Sequence, residues 1–554
     1  MNRFLLISIY GFLLLASCSE NHQAGMSADT GINALNADSL RKHISILASD
    51  SFMGRKPFTE GEVRTITFLQ QKFAATGLEP GNGNSYLQEV PMVNIQTSAD
   101  SIMRIQSPKG NYLLTGLEDY VIWTEKTDPV ISIHEDELVF AGYGVNAPER
   151  NWNDYEGLDV KGKIVLVLVN DPGYGINNEL FKGDTMTYYG RWTYKFEEAA
   201  RQGAKGCLVI HETKAASYPF TVVQNNWNGS RLHLDDRGKD VPYCDMVGWV
   251  SNEAAKKLFT SAGYDSSIMR KAAEPGFKGF SLKTRLTTSI KVSATYNKSY
   301  NVIGKITGAT KPGEYVIYTA HWDHLGIGKP DETGDSIYNG ALDNASATAG
   351  LIELARAFKN SKTKPDRTII FLAVTAEEQG LWGSAWYAQN PVYPAENTVA
   401  NINMDGLNNL GKAKDIIIIG QGQSELEDIL KEVADDLDRE ISFDTHPEAG
   451  YYYRSDHFNF AKVGIPSLYT GSGIDIIGKG KDYGRQKDEE YTGQHYHRPS
   501  DEFNENYNVE GSIEDLKLLF LVGKRIAVKD VWPGWKEGSE FKALRNKDRK
   551  ANSQ

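Results

Sequence analysis

At 554 residues the chain is too long for one ordinary domain, so two domains, or one domain with a large insert, are expected. With 40% hydrophobic, 24% charged and 11% aromatic residues, its composition is that of a folded globular chain and excludes bulk disorder. A net charge of -12 lacks the basic footprint of a nucleic-acid binder and reads as an acidic, solvated surface.

Residues 1–18 read as a lipoprotein signal peptide. Arg3 supplies a positive start, LLISIYGFLLLA is an apolar run too short to span a bilayer, and Leu15-Ala16-Ser17-Cys18 resembles a bacterial lipobox whose Cys becomes the lipidated N-terminus. The expectation is an exported lipoprotein in the periplasm or outer membrane of a Gram-negative bacterium, touching the membrane only through Cys18. An ordinary cleaved signal peptide with a chance Cys is the plainer alternative. No later stretch reaches about 18 apolar residues. With Cys18 given to the lipid, Cys207 and Cys244 remain: an exported protein can pair them, or leave Cys207 as a buried thiol in its apolar run.

Residues 19–30 form a small, polar tether. A first helix is expected from Asp38 or Ser39, burying Leu40, Ile44 and Leu47, and a second puts Val63, Ile66 and Phe73 on one side and stops at Gly77. From about 121 to 296 the texture changes: ELVFAGYGV, KGKIVLVLV and GCLVIHE read as strands and RWTYKFEEAARQGAKG as a glycine-ended helix. His134, His211 and His233 are isolated there, so this stretch reads as an inserted module rather than the site. From 297 a strand and helix alternation returns: strands at 315–320, 368–374 and 416–419, a helix at 345–358, and a Ser424/Glu427 capping box before the next helix. The main domain is therefore expected at 31–120 and 297–530, the insert at 121–296, and a fraying charged tail at 531–554.

Five motifs place histidines and carboxylates at predicted strand ends, where open α/β sheets hold their sites: AHWDHLG at 320–326, YNGALDNASAT at 338–348, AVTAEEQGLWGS at 373–384, NINMDG ending near Asp405, and QHYHRPSDE around His497. On an extended segment His321 and Asp323 project together, which suits Asp323 as the acceptor that orients the imidazole, while His324 points elsewhere. Asp343 reads either as a helix N-cap or as a carboxylate able to bridge two cations. Adjacent side chains diverge, so Glu377 is assigned as general base and Glu378 as metal ligand. Asp405 and His497 complete the set, with Asp501 placed to orient a ring nitrogen. Two imidazoles and three carboxylates suit a pair of zinc ions, and the implied reaction is amide or ester hydrolysis.

These motifs, with RSDHFNFAKVGIPSLY at 454–469, resemble the M28 family of zinc metallopeptidases. The resemblance implies two Zn(II) ions on His321, Asp343, Glu378, Asp405 and His497, with Asp343 bridging, Glu377 as base, Asp323 as the family's HxD aspartate, and Tyr496 where some members place an oxyanion-stabilising tyrosine. It implies an α/β fold with a mixed, mostly parallel sheet flanked by helices, and a smaller inserted α/β or β-rich domain similar to a protease-associated domain. SFMGRKPFTEGE at 51–62 resembles the opening of bacterial members. The implied activity is that of an aminopeptidase acting on peptides. Alternatives are a carboxypeptidase of the same family, for which Arg454 is a candidate carboxylate partner, a one-zinc glutaminyl cyclase, and a non-catalytic peptide-binding protein, which the full ligand set disfavours. Neither G-x-S-x-G nor H-E-x-x-H occurs.

Overall fold

The structure, a computed structural model, describes residues 31–528 and 530–545. The signal peptide, Cys18 and the tether to residue 30 lie outside the described residues, as does the chain from 546. No helix among the described residues is long and apolar enough to cross a membrane.

Helix α1 (Ala37–Leu47) buries Leu40, Ile44 and Leu47 as expected, but its cap is Asn36, whose side chain accepts the Ser39 N–H at 2.8 Å. Helix α2 (Glu60–Ala75) buries Ile66 and Phe73. Val63, expected beside them, is 52% exposed. It lies past the edge of the inward stripe, and on that turn the inward position belongs to Glu62, whose carboxylate accepts the Ser299 hydroxyl at 2.7 Å. Gly77, at φ +83°, ends the helix, with the Leu78 N–H returning to the Phe73 carbonyl at 3.0 Å.

Strand β1 (Leu87–Ala99) runs antiparallel to the 27-residue strand β2 (Phe280–Ile306), in register from Leu87 opposite Val302 to Ala99 opposite Ile290. The end of β2 enters the main sheet beside β4 (Arg367–Val374). Strand β3 (Lys311–His321) is parallel to β4 on one side and to β5 (Thr398–Asn403) on the other. Strand β6 (Asp415–Ile418) lies antiparallel to β7 (Ser467–Gly471), which is parallel to β5. Four central parallel strands with antiparallel neighbours make the mixed, mostly parallel sheet expected. Alternation along β4 divides its side chains between two cores: Ile369, Phe371 and Ala373 join the core with α1, α2, α3 (Ala347–Asn360) and the C-terminal α6 (Val509–Val528), whereas Ile370, Leu372 and Val374 join Tyr387 and Phe460 on the opposite face. Tyr387 comes from α4 (Trp382–Gln389). Before α5 (Leu426–Asp436), Glu427 accepts the Ser424 N–H at 3.0 Å, yet Ser424 Oγ donates to the Ser467 carbonyl at 3.4 Å, so only half of the expected capping box forms.

A second set of cores covers the insert. Parallel strands Ile164–Leu168, Gly206–Ile210 and Met246–Val250 pack with helices Trp192–Arg201 and Asn252–Ala262. Its apolar cluster begins with Ala99, Met103, Ile105 and Leu114, ahead of the expected border at 121, because the hairpin 102–115 packs on this side. Cys207 and Cys244 are buried free thiols. The C-terminal stretch expected to fray packs as far as Arg545: Trp535 donates to the Gly464 carbonyl at 3.0 Å, and Phe541 packs among Tyr452, Tyr453 and Phe458. Two aromatic anchors outweigh the charges around them.

His233 is buried with its ring 5.0 Å from that of Trp382, and His457 is fully buried beside Tyr452. Burial, helped at His233 by the charge of Arg231, pushes both down to about 3. Each folded-state pKa lies below the free value of 6.5, so the stability contributed is complete above pH 6.5 and drains away as the pH falls toward 3. At pH 5 the loss is on the order of 2 kcal/mol per histidine. The thermal midpoint of chelator-treated protein is therefore expected to fall between pH 7 and pH 5, and to fall less in His233→Gln. Equal slopes in the two proteins would remove this account.

Candidate metal centre

Strand β3 ends at His321, 1% exposed. Beyond β4 the chain passes Ala376, at φ +53°, and presents Glu377 and Glu378. Asp405 leaves β5 just before Gly406, at φ +80°. Asp343 sits in the wide turn Ala341–Ser346 that precedes α3, so that helix starts at Ala347 rather than 345. Asp343 is not the N-cap, a position held by Ser346. His497, at φ +57°, follows the helix Lys481–Gln494 and brings its ring to Asp343 and Glu378 from a partly exposed loop.

These side chains form two half-sites that share Asp343. Its Oδ1 is 3.3 Å from His321 Nε2, which is also 3.1 Å from Asp405 Oδ1. Its Oδ2 is 3.3 Å from His497 Nε2, which is also 3.0 Å from Glu378 Oε2. Glu377 is the more distant group, with Oε2 4.0 Å from His321 Nε2. Two overlapping triplets, His321–Glu377–Asp405 and His321–Asp343–Glu378, have donor atoms within 4.8 Å of one another. The shorter separations favour Asp405 beside His321 and Glu378 beside His497, with Glu377 farther from His321 than Asp343 or Asp405 is.

The electrostatics favour bound cations. Asp323, Asp343, Glu377, Glu378, Asp405, Asp456 and Asp501 crowd one region, and the facing cationic groups are the imidazoles and Arg55. Burial pushes Asp323 up to about 8 and Asp456 up to about 7. Burial pushes Glu377 well above the usual range, and the charges of Asp405 and Glu378 add to this against the pull of His321. Asp343 goes the other way: bonds from His321 and His497 overcome its burial and hold it well below the usual range. Mixed N and O donors with surplus negative charge fit borderline divalent ions of the zinc type.

Three expected contacts are made differently. His321 Nδ1 lies 3.2 Å from the Asp323 backbone carbonyl and 3.9 Å from its carboxylate, which instead accepts the Glu377 N–H at 3.0 Å. Asp323 thus positions the base more directly than the ligand. Asp501 does not orient His497: its carboxylate accepts the N–H groups of Leu342 and Asp343, at 3.0 and 3.1 Å, and the Tyr491 hydroxyl. His324, expected to point away, turns inward, with Nδ1 2.5 Å from Glu378 Oε1. Tyr496 is 47% exposed, its ring stacked on His497 at 3.9 Å.

Two buried groups carried no sequence signal. Arg55 donates to the carbonyls of Trp322, Leu47, Asn339 and Gly340, under the loops that carry His321 and Asp343. Asp456 accepts the Ser384 hydroxyl at 2.5 Å. Arg55 lies inside the quoted SFMGRKPFTEGE motif, but nothing in its spacing marks a buried charge.

Residues 301–521 match the sequence model of peptidase family M28. All five candidate ligands and Glu377 fall within the matched residues. Curated relatives include a glutamate carboxypeptidase 2 homolog of Caenorhabditis elegans, 23% identical over 438 residues, which cover 68% of this chain and 52% of that protein. A probable zinc metalloprotease of Pyrenophora teres f. teres is 38% identical over 114 residues, covering 21% of this chain and 23% of that protein. Aminopeptidase NAALADL1 of Mus musculus is 35% identical over 139 residues, covering 24% and 17%. The chain thus spans about half the length of the first relative and less of the others. Among solved structures, an aminopeptidase from Aneurinibacillus sp. strain AM-1 aligns over 91% of this chain and 97% of its own, at 18% identity and a TM-score of 0.48.

Proposed function

We propose that this protein is a two-zinc exopeptidase, an aminopeptidase that removes N-terminal residues from peptides, exported and tethered by a lipid on Cys18. The observation that carries the reading is the division of Asp343 between two half-sites, Oδ1 toward His321 and Asp405, Oδ2 toward His497 and Glu378. Bound there, two zinc ions would polarise a scissile carbonyl and acidify a water at neutral pH. Glu377 takes a proton from the attacking water and returns it to the leaving amine. Asp323 holds the Glu377 backbone, and the Glu377 carboxyl stands 4.0 Å from His321 Nε2. Tyr496, stacked on His497 at the rim, is the candidate donor to the developing oxyanion. Export rests on the first 18 residues alone.

A carboxypeptidase reading has its own observation. Arg454 Nε and Nη2 and Arg191 Nε are buried without hydrogen-bond partners, and burial together with the charge of Arg454 pushes Arg191 down to about 9. Two guanidinium groups that repel each other suit an anion between them, such as a peptide C-terminus. Purified protein freed of its leader is expected to bind two zinc ions, to lose activity on chelation and regain it with zinc, and to cleave free but not N-blocked aminoacyl amides. Cleavage of N-blocked peptides that is abolished by amidating the C-terminus would overturn the aminopeptidase assignment in favour of the second reading.

A further inference from the structure

We propose that His324 is a positioning residue for the half-site of His497 and Glu378: it grips the outer oxygen of Glu378 so that the inner one faces the ion. The proposal rests on the two-zinc reading above. Glu378 is spanned by two imidazoles, His324 Nδ1 at 2.5 Å from Oε1 and His497 Nε2 at 3.0 Å from Oε2. The two grips differ in firmness. The His497 side chain is 36% exposed on a loop, whereas those of His324 and Glu378 are 0% and 2% exposed. Of the two, only His324 can hold the carboxylate at a fixed angle before an ion arrives.

The seat of His324 is rigid. A Cβ on Gly340 would stand 2.6 Å from the ring atoms Cγ and Cδ2, so the ring lies directly on that backbone, and the Gly340 carbonyl is in turn held by Arg55 Nη2 at 2.9 Å. Packing alone does not account for an imidazole here. His324 Nε2 is buried with no hydrogen-bond partner among the described residues, a cost that an apolar ring would avoid. What the imidazole adds is the Nδ1 donor on Glu378, which leaves Oε2 as the single free ligand atom and disfavours a turned or two-oxygen grip on the ion.

The test is a zinc titration of the full chain, stripped by chelation and followed against a competing chelator, so the readout is affinity for each ion rather than turnover. Wild type is expected to take two ions. His324→Phe should bind one of them about 10–100-fold more weakly and leave the other unchanged. The weakened ion should be the one that His497→Ala also loses. His324→Asn, whose Nδ2 stands where Nδ1 stood, should restore the affinity, and His324→Leu provides the same loss where the larger ring does not fold. The proposal is overturned if both ions keep wild-type affinity in Phe and Leu variants, or if both weaken together with a lowered thermal midpoint that Asn does not correct. Wild type that takes up no zinc would instead bring down the two-zinc reading, and this assignment with it.

Discussion

Glu377→Gln is expected to lower kcat by about 10²–10⁴-fold while the protein keeps its zinc. Glu377 stands 4.0 Å from His321 Nε2, the longest of the separations at the site, while Asp405, Asp343 and Glu378 make the close approaches. Its backbone is fixed by Asp323, so the amide of Gln takes the same position without a titratable proton. Metal analysis beside steady-state kinetics on an aminoacyl anilide checks this. Loss of an ion in the Gln variant would make Glu377 a ligand, as the His321–Glu377–Asp405 grouping allows, and full activity would remove it from the chemistry.

Arg55→Met is expected to destabilise the apo-protein by about 3–5 kcal/mol, although Arg55 touches no candidate ligand. The side chain is 1% exposed and donates at 3.0, 2.8, 2.6 and 2.9 Å to four carbonyls, two of them on the stretch before Asp343 and one on Trp322, next to His321. Removing it takes the donor from the Trp322, Leu47 and Asn339 carbonyls, while the Gly340 carbonyl keeps the Ala345 N–H at 3.1 Å. It also withdraws the charge that faces Asp343, Asp501, Asp323 and Glu378. Burial pulls the guanidinium down to about 10, so it remains charged at neutral pH. Lysine should not rescue, because one ammonium cannot reach four carbonyls as a planar fork does. Urea unfolding of the zinc-free protein measures the effect, and a change within about 1 kcal/mol would show that water serves those carbonyls as well.

The convergence of the candidate ligands was legible because each belongs to a short segment whose local pattern speaks for itself. TIIFLAV can only be a buried strand, and the residues just beyond it must emerge at its end, which places Glu377 and Glu378. The same holds for Asp405 after β5 and His321 at the end of β3. Neighbours in sequence are not always neighbours in space. Asp501 was paired with His497 four residues earlier, yet it holds Leu342 and Asp343 from across the fold. His324 was turned away because i and i+3 diverge on an extended strand, but the strand ends at His321 and the loop beyond it turns the ring back onto Glu378. The charged C-terminal stretch read as fraying since composition cannot reveal that Trp535 and Phe541 find an aromatic cluster waiting.

By itself, then, the sequence determined the α/β class, the strand ends and the identity of the residues that meet there, since hydrophobic periodicity and ligand chemistry are local properties. Only the tertiary structure decided which oxygen of Asp343 faces which imidazole, that His324 grips Glu378, and that Arg55 supports both loops from beneath. Those are contacts between segments tens to hundreds of residues apart, and their geometry is set by packing of the whole sheet against its helices, which no window of sequence contains.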